Sequence, residues 1–116
     1  DMKIEYDVVN GKKNGDFIIY FSNGNIQIAG TMKENKNIGE WKYYFPDGSL
    51  QTSGYYENDI PTGKWIWFNP QGNIIEEGNY IGGNREGEWK TYDSIGSLDI
   101  VRLYKKNKLI DSTKID

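Results

Sequence analysis

From residue 15 to residue 104, apolar residues and glycines recur in phase every 24 residues. Gly15, Gly39, Gly63 and Gly87 open the unit. Phe17, Trp41, Trp65 and Trp89 follow, then Tyr20, Tyr44, Phe68 and Tyr92. Next come Gly24, Gly48, Gly72 and Gly96, and then Ile26, Leu50, Ile74 and Leu98. Gly30, Gly54 and Gly78 form a later column that Arg102 breaks, and Met32, Tyr56, Tyr80 and Tyr104 form the last. Such self-similarity marks a repeat architecture. The chain reads as one repeat domain, 1–116, with full units 15–38, 39–62, 63–86 and 87–110. Residues 1–14 read as the tail of an earlier unit. From Lys105 onward the pattern fades, with Asp111 where a fifth glycine would stand. The tail, 111–116, reads as a last strand or a cap.

Within a unit the apolar period is two, which predicts strands. Trp41–Phe45 predicts one strand and Ser49–Glu57 the next, joined at Asp47-Gly48. Asn23-Gly24 and Asp47-Gly48 predict type I′ hairpin turns. Asn35–Ile38, Asn58–Thr62 and Gly82–Glu86 predict longer connections between units. The expected fold is all-β: a single-layer, curved antiparallel β-meander of stacked 24-residue hairpin repeats, with about eight to ten strands. A two-residue turn at Asp47-Gly48 sets Trp41 opposite Gly54, Tyr43 opposite Thr52 and Phe45 opposite Leu50. It also predicts that Trp41 covers Gly54, Trp65 covers Gly78 and Phe17 covers Gly30, which explains glycine in mid-strand. The alternation places Trp41, Tyr43, Phe45, Leu50 and Tyr56 on a core face, with Ile26, Ile74 and Leu98 in the Leu50 column. Tyr20, Tyr44, Phe68 and Tyr92 fall on a second, wetter face.

Composition narrows the chemistry. There is no Cys and no His, which removes disulfides, thiolate nucleophiles and the commonest general base and metal ligand. Net charge is -3, and the 17 acidic and 14 basic residues are spread along the chain, so nucleic acid is not an expected partner. No apolar run reaches the length of a membrane-spanning helix. No leader is visible within the 116 residues.

The string Gly39-x-Trp41-x-x-Tyr44-x-x-x-Gly48-x-Leu50-x-x-x-Gly54-x-Tyr56 resembles the MORN-repeat family in its bacterial variant. It recurs as Gly63, Trp65, Phe68, Gly72, Ile74, Gly78 and Tyr80. Phe17, Phe68 and Arg102 depart from the pattern. The resemblance implies an elongated sheet of stacked hairpins that acts as an interaction module. It also implies three narrower roles: an antitoxin component, a lipid-surface module, or a structural repeat domain of an exported protein. The compartment is then the bacterial cytoplasm, or the exterior where a leader precedes the chain.

No phosphate loop, nucleophile elbow or calcium loop is present, and Glu76-Glu77 point to opposite faces as strand neighbours. The chain is expected to be no enzyme and to carry no cofactor and no metal. Trp41, Gly54, Trp65, Gly78 and Trp89 are assigned a structural role. The row Tyr20, Tyr44, Phe68, Tyr92 has two open readings: a structural ladder, or an aromatic strip that binds a peptide or glycan. Trp67 joins the candidate binding residues because its column (Ile19, Tyr43, Trp67, Thr91) does not repeat. The leading expectation is a non-enzymatic protein–protein interaction module, with antitoxin or immunity-like protein as one version. The partner is another protein, or a second copy in a homodimer. Membrane contact is the less favoured alternative, because only Lys105, Lys106 and Lys108 cluster.

Overall fold

The computed structural model describes residues 2–116; the first residue of the expected partial unit lies outside them. Two kinds of turn alternate along the chain, in an order the sequence does not suggest. At Phe45–Ser49 the Gly48 N–H donates to the Phe45 carbonyl (2.9 Å) and the Phe45 N–H to the Ser49 carbonyl (2.8 Å). Of these residues only Gly48 has positive φ (94°), so type I′ geometry at Asp47-Gly48 and Asn23-Gly24 is ruled out. Pro46 suits the second position of a type I turn, and Asp47 Oδ1 accepts from the Ser49 N–H (2.9 Å) and Oγ (2.7 Å). The type I′ turns lie instead at Asn10-Gly11, Glu34-Asn35, Asn58-Asp59, Gly82-Gly83 and Lys106-Asn107, where both residues have positive φ. The long connections expected there do not form, because the strands run up to these tight turns.

The strands are β1 (Lys3–Val9), β2 (Lys12–Tyr20), β3 (Ile26–Lys33), β4 (Lys36–Tyr44), β5 (Leu50–Glu57), β6 (Ile60–Phe68), β7 (Ile74–Ile81), β8 (Asn84–Tyr92), β9 (Leu98–Lys105) and β10 (Lys108–Lys114). They form one sheet in sequence order, every neighbour antiparallel, so the all-β meander is the observed fold. The molecule measures 52 × 32 × 16 Å, the proportions of a single layer.

The tight turns are stitched to one another. Asn35 Oδ1 accepts from the Lys13 N–H (2.8 Å), Asp59 Oδ1 from Asn37 (2.7 Å) and Asn107 Oδ1 from Arg85 (3.3 Å). In the remaining copy the donor position is Pro61, which has no N–H, and the acceptor position is Gly83, which has no side chain. The two departures fall on the two ends of one missing bond.

Trp41 pairs with Gly54, Tyr43 with Thr52 and Trp65 with Gly78, as the spacing predicts. Leu50, however, faces Tyr44 rather than Phe45, because a register shift falls between Tyr43 and Tyr44. The glycine relationship also differs from expectation. The indole of Trp41 lies over Gly30 of the preceding hairpin, Trp65 over Gly54, and Trp89 over Gly78. A Cβ on these glycines would sit 2.0, 2.1 and 2.1 Å from ring atoms. Cross-strand pairing in the hairpin does not decide which backbone a ring covers. The ring leans onto the strand on its other side, where a wide bulge separates the strands: Ser53 pairs with Ile66 and Tyr55 with Thr62. The indole N–H groups donate to the carbonyls of Thr31 (3.1 Å), Tyr55 (3.2 Å) and Asn79 (3.1 Å), strand carbonyls beside these glycines.

This placement accounts for the broken columns. No indole follows Arg102, since Thr113 holds the corresponding position, so no glycine is required there. At the other end Phe17 stands in the tryptophan column and stacks on Tyr6 (centroids 5.8 Å, planes 21° apart) where later units have glycine.

Trp41, Trp65 and Trp89 are the buried apolar residues, 3, 6 and 1% exposed. They belong to a ladder in which Phe17, Trp41, Tyr56, Trp65, Tyr80, Trp89 and Tyr104 touch in turn at centroid distances of 4.9–6.3 Å. With one layer, the rings bury one another and cover the glycine backbone between them.

Candidate functional site

Cross-strand partners share a face. The register pairs Tyr20 with Ile26, Tyr44 with Leu50, Phe68 with Ile74 and Tyr92 with Leu98. Ile26, Leu50, Ile74 and Leu98 therefore lie on the second face, not on the core face where strict alternation puts them. The reason is an extra residue in the second strand (Gln27, Gln51, Ile75 or Asp99), which resets the alternation. All eight paired residues are half-buried. They make an aromatic–aliphatic strip beside the glycine turns, stepping about 10 Å per repeat, two strand spacings.

Trp67 is not part of this strip. Its ring sits 5.9 Å from Trp65 and 5.8 Å from Trp89, on the ladder face. Beside it Thr52 is buried, and the phenols of Tyr43 and Tyr56 share a hydrogen bond of 3.0 Å. Burial pushes the Tyr43 phenol above its ordinary range. The five candidate binding residues thus divide between faces, four on one and Trp67 on the other.

Next to the strip lies a polar network that the sequence reading missed. Glu77 accepts a short hydrogen bond from the Tyr92 hydroxyl and pairs with Lys64 Nζ at 3.0 Å. The Tyr92 bond, then Lys64, holds the Glu77 carboxyl below its ordinary value, opposed by burial. Burial first, then Glu77, pushes the Tyr92 phenol up to about 12. Tyr92 lies fifteen residues past Glu77, a separation that becomes proximity only once the register is known.

Chemically the network is a satisfied one. Glu77 is ionised, occupied by two donors and pushed away from the range of a general base. Among the described residues no group of three or more His, Cys, Asp or Glu is arranged to hold a metal ion. What the surface offers is area: stiff half-buried rings, aliphatic neighbours and an adjoining acid–base pair, which suit docking rather than bond chemistry.

A search of curated proteins finds no match. The sequence pattern of the MORN repeat variant matches residues 13–34, 38–58 and 61–81. These segments fall on the hairpins β2–β3, β4–β5 and β6–β7, and β8–β9 repeats their register. Three matched copies cover more than half of the chain, which belongs to the MORN repeat variant family.

Proposed function

We propose that this protein is a non-enzymatic scaffold that docks another protein on its second face. The observation that carries the reading is the strip of four aromatic–aliphatic pairs: Tyr20/Ile26, Tyr44/Leu50, Phe68/Ile74 and Tyr92/Leu98. Amphipathic rings at regular spacing, flanked by charges, give large contact area at low entropic cost. Family membership supports it, because MORN repeats typically act as interaction or membrane-binding modules. An antitoxin or immunity-like protein is the bacterial version of this proposal, in which the partner is a small toxin. The test uses the chain and its Tyr44→Ala/Phe68→Ala variant as baits, with folding checked by tryptophan fluorescence. The reading expects a defined partner that wild type retains and the variant loses. A partner held equally by both baits, or none from the native host, overturns it. A toxin gene beside this reading frame favours the antitoxin version.

One feature favours a membrane-surface role as a second reading. Lys105, Lys106 and Lys108 line one depression with Leu109 and Ile110, a basic rim around exposed aliphatic side chains. Flotation with anionic liposomes, lost on Lys105→Glu/Lys106→Glu/Lys108→Glu, is the result this reading requires.

A further inference from the structure

Opposite the aromatic strip, the second face ends at the row of type I′ turns. Consecutive tips abut. The Asp59 N–H donates to the Asn37 carbonyl, the Gly83 N–H to that of Pro61 and the Asn107 N–H to that of Arg85, each at 2.9 Å. The tips therefore form one continuous rim, stepping about 10 Å per repeat. Tyr56, Tyr80 and Tyr104 belong to the ring ladder. The residue after each, Glu57, Ile81 and Lys105, thus stands on the second face. Lys33 follows Met32 of the same column. Their cross-strand partners, Ile60, Asn84, Lys108 and Lys36, stand beside them. All eight residues are exposed.

This rim differs from the rest of the face in charge and in apolar exposure. Farther in, the lysines are paired: Lys42 with Glu40 (3.8 Å) and Lys64 with Glu77 (3.0 Å). At the rim, Lys33, Lys36, Lys105 and Lys108 form no ion pair among the described residues. Between these two lysine pairs lie Ile60 and Ile81, 47 and 64% exposed. In the neighbouring hairpins the same positions are polar: Lys36 and Asn84 on either side of Ile60, Glu57 and Lys105 on either side of Ile81. Ile60 leans over the Gly82-Gly83 tip, where a Cβ on Gly83 would lie 3.2 Å from Ile60 Cγ2. That tip has no side chain to screen either isoleucine.

We propose that this rim takes an acidic, amphipathic segment of a partner protein, with its apolar centre on Ile60 and Ile81 and its carboxylates toward the lysines at either end. The proposal rests on the docking reading of the second face and supplies the chemistry of the partner. Charge complementarity selects the occupant. Four unpaired lysines flank the two isoleucines, and Glu57 lies beside Ile60 in the middle. Acid is therefore drawn to the ends of the segment and kept from its centre. An anionic bilayer fits less well. A flat surface laid on this end of the face also meets the exposed Glu34, Glu57 and Asp59, whereas a peptide places its acids selectively. From Lys33 and Lys36 to Lys105 and Lys108 is three repeats, about 30 Å, which spans about 20 helical or about nine extended residues.

Random peptides of about 20 residues, displayed as a library, are selected on the immobilised chain. Enriched sequences are expected to carry Asp and Glu at both ends around Leu, Ile or Phe, and to bind more weakly as salt rises. In fluorescence anisotropy, Ile60→Ser/Ile81→Ser and Lys33→Glu/Lys36→Glu each weaken such a peptide at least tenfold, while both variants keep the tryptophan emission of wild type. Changing the acids at one end of the peptide to Lys restores its binding to Lys33→Glu/Lys36→Glu. Enrichment of basic or uncharged peptides overturns the proposal, as do acidic peptides held equally by wild type and both variants. So does a chain that enriches no peptide but binds phosphatidylglycerol vesicles and loses them on Ile60→Ser/Ile81→Ser, which assigns the rim to a membrane. Peptides lost only with Tyr44→Ala/Phe68→Ala overturn the rim and leave the docking reading standing. Peptides indifferent to all three variants overturn both.

Discussion

The indole of Trp65 rests on the backbone of Gly54, where a methyl group would lie 2.1 Å from the ring. Neither strand atoms nor a fused ring can yield that distance without moving the hairpin. Gly54→Ala should therefore destabilise by at least about 1–3 kcal/mol, read from urea unfolding. Adding Trp65→Phe should recover part of the loss, because Phe17 already tolerates Tyr6 beneath it. Strictly additive losses would show that the ring and the glycine do not act as a pair.

Trp41→Ala removes an indole that is 3% exposed, its contact with Gly30 and its bond to the Thr31 carbonyl. A loss of about 3–5 kcal/mol is expected, against less for half-buried Tyr44→Ala. Thermal melts in the reverse order would show that the load is carried by the other face.

Tyr92 and Glu77 make stability depend on pH in opposite directions. The Tyr92 phenol is raised from 10.0 to about 12, so its contribution is complete below pH 10 and fades as pH climbs toward 12. Glu77 is lowered, so its contribution is present above its ordinary value of 4.5 and disappears as pH falls through the lower folded value. Tyr92→Phe should be less stable than wild type at pH 7, and the gap should narrow between pH 10 and 12. A constant gap would mean that the hydroxyl makes no bond that matters.

The missing stitch between Pro61 and Gly83 can be restored. Gly83→Asn alone should gain nothing, because Pro61 offers no N–H. Combined with Pro61→Asn it recreates the kind of bond that the Lys13 N–H donates to Asn35 Oδ1 (2.8 Å). A double-mutant cycle should give a favourable coupling of about 0.5–1.5 kcal/mol. Zero coupling would assign the order of these turns to the backbone alone.

The repeat by itself determined the fold class, a range of about eight to ten strands that holds the observed ten, and the hairpin partners Trp41–Gly54 and Tyr43–Thr52. A period of two inside a period of 24 leaves few alternatives to a meander, since each strand meets its nearest neighbours in sequence. Turn chemistry misled because Asp-Gly and Asn-Gly serve both type I′ turns and type I turns closed by a left-handed glycine. Pro46 ahead of Asp47-Gly48 was the readable sign of the second kind. The candidate strip was legible as a row at Tyr20, Tyr44, Phe68 and Tyr92, but not its aliphatic half.

What only the tertiary structure decided depends on bulges. One added residue, Gln51 or its equivalents, reassigns Leu50 to the face of Tyr44. The wide bulge at Gly63 tips Trp65 away from its hairpin partner and onto Gly54. A missing glycine at Asp111 slips β10 and ends the ladder. Strand alternation is a local rule and can be read from a string of residues. A bulge changes the phase of that rule for everything beyond it, and its position is fixed by packing between strands.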